Sequence, residues 1–326
     1  MPKSLSSLEE LNINGVEQWI QIQSKDSTQP ILLILHGGPG YAMMPLFHHR
    51  NAVLEDHFIV VNWDQRGAGR SYRRTIPKKS MTFQQFLDDL NALTQILKQR
   101  FRRQRIYLLG HSWGTMMGLS AAKAHPKDYY AFVGVGQVVG PIINEIVMYE
   151  WELGEARRQN HKKAIRELTL IGHPDQFGEY PGKGPGGADP YDISDYWMGY
   201  FGGDLYGKHG TDQIDNWMLN QPVYLGKWGT KWINGNDFSK RVWDDDDAWK
   251  LDFRQSVTTL DIPAFFLHGR HDYDTPGSLV QAYVPTLDAP QKELIWFENS
   301  AHFPFYEESE RFNQIMIDVV KKSTFP

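Results

Sequence analysis

The 326-residue chain contains no cysteine, which excludes disulfide staples, thiol nucleophiles and thiolate metal sites. It lacks a basic block: 34 lysines and arginines face 39 aspartates and glutamates, for a formal charge of −5. With no cationic stripe to neutralise a phosphate backbone, nucleic acid is not an expected partner. No stretch approaches the roughly 18 apolar residues that span a bilayer, so no membrane association is expected. The opening Met1-Pro2-Lys3-Ser4-Leu5 runs into Leu8-Glu9-Glu10-Leu11 without the apolar centre of a secretory leader. A cytoplasmic location is the expectation. No histidine or carboxylate spacing has the pattern of metal ligands, and no internal repeat is evident. The one charge run, Asp244 to Asp247, is short and reads as a solvated loop or helix start.

Hydrophobic residues make up 41% of the chain, enough for a sizeable core. Residues 8–23 alternate polar and apolar about Asn14-Gly15, the signature of a hairpin of edge strands. Continuous apolar runs then mark strands buried on both faces: Ile31 to Leu35, Phe58 to Trp63, Arg105 to Leu109 and Tyr130 to Val135. Between them, Thr82 and Gln85 form a capping box for a helix carrying Phe83, Phe86, Leu87, Leu90, Leu93 and Leu97 to about residue 99. A second helix runs from Trp113 to Ala124 and stops at His125-Pro126. Strands alternating with crossover helices predict an α/β fold with a mostly parallel sheet. Ligands of such sheets bind beyond the carboxyl ends of the strands.

The texture changes between about 141 and 250. Helical spacing continues through 144–171, but residues 172–190 are rich in glycine and proline and the periodic signals fade. Seven of the 11 tryptophans fall between 151 and 249. The stretch reads as an inserted cap over the rim, leaving residues 1–140 and 251–326 as the core. The sheet resumes at Ile262 to Leu267 and ends with Leu294 to Phe297, before a helix to about Lys322.

The segments that follow the buried strands carry the chemistry. Gly110-His111-Ser112-Trp113-Gly114 lies between a strand and a helix, which predicts a strained turn that lifts the Ser112 hydroxyl above the sheet. A serine nucleophile needs a base to take its proton and an acid to orient that base. The histidine after the last strand is His302, and the late carboxylates are Asp272 and Asp274. Asp274 precedes Thr275-Pro276 as a turn or cap residue would, which favours Asp272 as the acid. His111 points away from Ser112 in such a turn and reads as structural. His36-Gly37-Gly38-Pro39-Gly40 after the first buried strand presents backbone amides, and the N–H groups of Gly38 and Trp113 form the expected oxyanion hole. Asp64 and Arg66 are expected to brace the next loop through an ion pair.

Taken together, HGGPG at 36–40, Asp64-Gln65-Arg66-Gly67, Gly110-His111-Ser112-Trp113-Gly114, Gly269-Arg270-His271-Asp272 and Ser300-Ala301-His302 resemble the α/β-hydrolase fold, and more narrowly the proline iminopeptidase family. The resemblance covers the core. It implies a serine aminopeptidase that releases amino-terminal proline from short peptides through Ser112, Asp272 and His302, without metal or cofactor. Two features depart from the family. The cap motifs resembling WEG and ENHYF, whose glutamates hold the substrate ammonium, are not present, and Tyr273 stands where other members carry an acid after the catalytic aspartate. On the first cap helix, Glu145, Glu150, Glu152 and Glu155 are the carboxylates that could replace them; Glu150, Glu152 and the intervening Trp151 are the expected substrate contacts. The alternative reading is an esterase, lactonase or amidase acting on a small uncharged substrate with the same three residues.

Overall fold

The computed structural model describes residues 3–324. Asn14 and Gly15 take φ of 49° and 80°, the left-handed pair that a two-residue hairpin turn requires. They join β1 (Leu5–Ile13) to β2 (Val16–Ser24) in antiparallel register, Ile13 opposite Val16. Strands β3 (Ile31–Leu35), β4 (Ile59–Asp64) and β5 (Ile106–His111) are buried at every position. So is every position but one of β6 (Tyr129–Val135) and all of β7 (Ala264–Gly269), while β8 (Lys292–Phe297) closes the far edge. The spatial order is β1-β2-β4-β3-β5-β6-β7-β8, antiparallel up to β4 and parallel from there on.

Burial on both faces explains the unbroken apolar runs. Ile31, Leu33 and Leu35 of β3 share one core layer with α2 (Phe83–Phe101) and α3 (Trp113–Ala124) through Phe86, Leu90, Met116 and Met117. Leu32 and Ile34 face the opposite layer, among Phe47 of α1 (Met44–Asn51), Phe312 and Met316. The chain passes from β3 to β4 on one side and later sets β5 on the other. At this change of direction the connections diverge and open a crevice beyond the carboxyl ends of β3 and β5.

The expected Asp64–Arg66 pair does not form. Arg66 instead binds Asp89 of α2 through Nε and Nη2 at 2.7 and 2.9 Å, with both side chains buried. Asp89 also accepts from Asn14, Gln18 and Gln85, so one carboxylate ties the hairpin turn, the loop after β4 and α2 together. Gln85 is spent on Asp89, so only the Thr82 half of the capping box is made. Asp64 turns toward Tyr224 Oη and the Arg70 amide. Asp89→Ala leaves a buried guanidinium unpaired and is expected to cost about 3–5 kcal/mol of unfolding free energy. Urea denaturation reads this directly, and a loss below about 1 kcal/mol would show that Arg66 finds other partners.

Between β6 and β7 the structure is helical. Its longer members are α4 (Pro141–Arg158), α5 (Lys162–Ile171), α6 (Pro190–Tyr200), α7 (Asp212–Leu219) and α8 (Lys227–Ser239). Helices α4, α5 and α6 bury a small core of their own around Tyr149, Leu168 and Trp197. Helix α8 sits directly on the rim loops. A Cβ on Gly235 would lie 2.7 Å from the Gly67 carbonyl oxygen, and one on Gly40 2.8 Å from Ser239. Trp232 Nε1 donates to Ala42 O at 2.8 Å, fixing the helix over the loop that follows β3.

Candidate active site

Ser112 stands between β5 and α3 at φ 52°, ψ −123°, a conformation that side-chain-bearing residues rarely hold. Its neighbours explain how it is kept there. A Cβ on Gly110 would fall 2.4 Å from Gly114 O, and one on Gly114 2.2 Å from Leu35 O, so both positions are closed to any side chain. The Ser112 amide donates to Val135 O of β6 at 3.0 Å, and its carbonyl accepts from Thr115 Oγ1 at 2.6 Å. Trp113 is the first residue of α3, where amides have no carbonyl of their own helix to bond. The Gly37–Gly38 loop passes against the same point: a Cβ on Gly37 would lie 2.9 Å from Ser112 Cβ. Gly38, Ser112 and Trp113 line one cavity of about 750 Å³.

His302 lies on the same wall, in the loop after β8. Its Nδ1 is 2.9 Å from Asp272 Oδ2. Asp272 is itself fixed by the amide and hydroxyl of Thr275, each at 2.8 Å. The turn role expected of Asp274 thus falls to Asp272, whose Oδ1 caps the turn while Oδ2 holds the ring. Asp274 makes no cap to the following helix; its Oδ2 sits 3.0 Å from His302 Nε2. The separation is that of a hydrogen bond but the alignment is not, so the contact is a close ion pair and Nε2 has no hydrogen-bond partner among the described residues. Burial by itself lowers the His302 pKa, but the charges of Asp272 and Asp274 outweigh it and hold the ring protonated well above its ordinary range.

His111 is buried and donates from Nε2 to His302 O at 2.9 Å, with burial keeping its own ring neutral. It braces the histidine loop and also lines the cavity. Gly136, which sequence reasoning passed over, is needed as glycine: at φ 56° a Cβ there would lie 2.8 Å from His302 Nδ1. Its signal is a glycine at the end of a buried apolar run, the same signal that marks Gly37 and Gly110.

The segment between β6 and β7 supplies the far wall and makes it acidic. Nine carboxylates line the cavity against one lysine, Lys240, among the described residues. Asp195, walled by protein yet open to the cavity's water, is pushed up to about 7, first by burial and then by Asp274. Glu145 is pushed up to about 8 by burial and by Asp195, and burial with Asp274 raises Asp204 well above its usual range. Lys240 near Asp195 and His302 near Asp204 offset this crowding only in part. Of the expected substrate contacts, the structure brings none to this wall. Glu150 is exposed and pairs with His173 at 3.3 Å. Glu152 is fully buried and bonded to Ser194 at 2.9 Å, beneath the cap surface. Trp151 stacks on Tyr273, ring centroids 3.9 Å apart. Glu150 turns to the other side of α4, whereas Trp151 and Glu152, seven residues on from Asn144 and Glu145, share the cavity face but lie about 10 Å farther along the helix, where Tyr273 and Ser194 cover them. No group of three or more histidines and carboxylates is disposed to hold a metal ion among the described residues, and none of the described helices is long and apolar enough to cross a membrane.

A family model described as serine aminopeptidase, S33, matches residues 26–163. The chain is 32% identical over 316 residues to a probable aminopeptidase of Bacillus subtilis, YbaC, covering 95% of each protein. It is 31% identical over 310 residues to a proline iminopeptidase of Lactobacillus helveticus, covering 91% of this chain and 92% of that one. Among solved structures, a proline iminopeptidase-related protein of Thermus thermophilus superposes with a TM-score of 0.69 at 17% identity over 99% of both chains. The Mycobacterium smegmatis proline iminopeptidase does so at 0.66 and 17%, over 97% of this chain and 98% of that one. At such identity the two structures speak to the fold alone.

Proposed function

The chain belongs to the proline iminopeptidase family of serine aminopeptidases, α/β-hydrolase-fold enzymes, and on that premise we propose that Ser112, His302 and Asp272 release the amino-terminal residue of short peptides or amino-acid amides. As Ser112 Oγ bonds to the substrate carbonyl carbon, its proton passes to His302 Nε2. Asp272 holds the Nδ1 proton in place and stabilises the imidazolium that forms. The Gly38 and Trp113 amides donate to the new oxyanion, each contributing about 3 kcal/mol to the transition state. His302 then protonates the departing amine, leaving an acyl-Ser112. Water, deprotonated by the same ring, releases the acid and restores the hydroxyl.

The observation that carries the free-amine requirement is the nine-carboxylate lining of the cavity over Ser112. A substrate ammonium entering that space meets Asp274, Asp204, Asp195 and Glu145 and relieves their mutual repulsion, whereas an uncharged end leaves it in place. The aromatic walls, with Tyr41, Trp113 and Phe303 on the core side and Tyr191, Trp243 and Trp249 on the cap side, suit the apolar faces of a pyrrolidine ring. The test compares Pro-β-naphthylamide with its N-acetyl form. Acetylation is expected to lower kcat/KM by at least about 100-fold, because it deletes the charge that the site is built to pair. Equal rates on the two would favour the esterase, lactonase or amidase reading.

A further inference from the structure

His302 is flanked by carboxylates at both ring nitrogens, Asp272 Oδ2 at 2.9 Å from Nδ1 and Asp274 Oδ2 at 3.0 Å from Nε2. The first contact is the one a serine hydrolase needs. The second occupies the nitrogen that must be free to take the serine proton. The two acids also differ in how they are held. Asp272 is buried and fixed by two bonds from Thr275. The Asp274 side chain is 34% exposed to the cavity, and its carboxylate has no hydrogen-bond partner among the described residues beyond its approach to His302. It is free to move.

The other groups around the ring do not supply a competing cation. His111, 4.6 Å away between ring centroids, is kept neutral by burial. His268, on the far side of Asp272, has its pKa lowered by burial and donates to Thr275 O. From the segment between β6 and β7, the Asp204 backbone carbonyl accepts from the His302 amide at 2.9 Å, and its side chain adds a further carboxylate to the cavity. The hydroxyl of Thr275 is neutral. The surroundings therefore favour imidazolium in the empty site, and an imidazolium is no base.

We propose that Asp274 is a latch operated by the substrate's own amino-terminal cation: with the site empty it pairs with His302 Nε2 and keeps the base charged, and the incoming ammonium draws it away. This rests on the aminopeptidase reading above. Once Asp274 turns to the ammonium, the Nε2 proton leaves to water in the cavity, and the neutral ring can take the Ser112 proton as Oγ attacks. A substrate without an amine leaves the latch closed and forfeits base catalysis as well as an ion pair. One residue thereby links recognition of the free amine to turnover.

The sign of the pH dependence follows. A charged His302 is inactive, so a second carboxylate beside it moves the acid limb of the rate to higher pH, and removing that carboxylate moves it down. The probe is p-nitrophenyl acetate, which carries no amine. With Asp274→Asn, the acid limb of kcat/KM for this ester is expected about one pH unit or more lower than in the wild type, so that at pH 6 the ester is cleaved roughly tenfold faster. The same variant should raise KM for Pro-β-naphthylamide about tenfold or more. An unmoved ester profile, or ester activity that falls along with peptide activity, would overturn the latch. A test on the unmodified protein adds pyrrolidinium chloride to the ester assay at pH 6. The small cation should speed wild-type cleavage severalfold and leave Asp274→Asn unaffected; absence of wild-type activation would count against the proposal. Failure of the aminopeptidase reading is seen elsewhere, in wild-type indifference to acetylation.

Discussion

Ser112→Ala is expected to lower kcat by about 10⁵- to 10⁶-fold on every substrate while the protein remains folded. Every other step of the proposed chemistry depends on that hydroxyl, and nothing adjacent can stand in for it. Thr115 Oγ1 is already bound to the Ser112 carbonyl at 2.6 Å. Alanine keeps the Cβ that the strained turn already accommodates, so stability should change by less than about 1 kcal/mol. The residual rate reports what the oxyanion donors and the binding of substrate achieve without a nucleophile. Activity above about 1% of wild type would place the nucleophile elsewhere.

Asp272→Asn is the second large effect, a fall in kcat of about 10⁴-fold. The substitution keeps an acceptor for the Thr275 amide at Oδ1 but sets an NH2 group where Oδ2 meets His302 Nδ1 at 2.9 Å. That NH2 must donate to Nδ1, which forces the ring's proton onto Nε2 and leaves no lone pair to receive the serine proton. Asp274→Asn contains no such trap and should alter KM and the pH profile rather than collapse kcat. If the two variants exchanged phenotypes, Asp274 would be the orienting acid.

The core and its rim are legible in the sequence for a physical reason. A strand buried on both faces must be apolar throughout, so Ile31 to Leu35 and Ile106 to Leu109 stand out, and the glycines that follow them mark where backbones crowd at the strand ends. The Asn14-Gly15 turn is legible because few other pairs hold two left-handed residues. The helices between β6 and β7 are not legible in this way. Helix α8 buries Gly229, Trp232, Gly235 and Phe238 at regular helical spacing, but two of those four are glycines, Gly235 kept small by the Gly67 loop and Gly229 by the Tyr224 carbonyl, so no apolar stripe is visible. Helix α6 likewise buries Ser194 and Gly199 beside Trp197. Glu150 and Glu152 read as candidates because they share a helix with Glu145, yet Glu150 faces the other way and Glu152, on the same face as Glu145, lies two turns past the cavity beneath Ser194. Arg66 and Asp89 lie 23 positions apart, and no local pattern joins them. Asp274 is the sharpest case. Its position before Thr275-Pro276 suits a turn, and only the fold reveals a carboxylate aimed at Nε2.

Catalysis in this scheme passes through an ester on Ser112. The direct measurement is the intact mass of the protein quenched during turnover of proline p-nitrophenyl ester, followed by peptide mapping. One prolyl group is expected, carried by the peptide that contains Ser112 and missing from Ser112→Ala. Turnover with no covalent adduct, or an adduct on another residue, would contradict it.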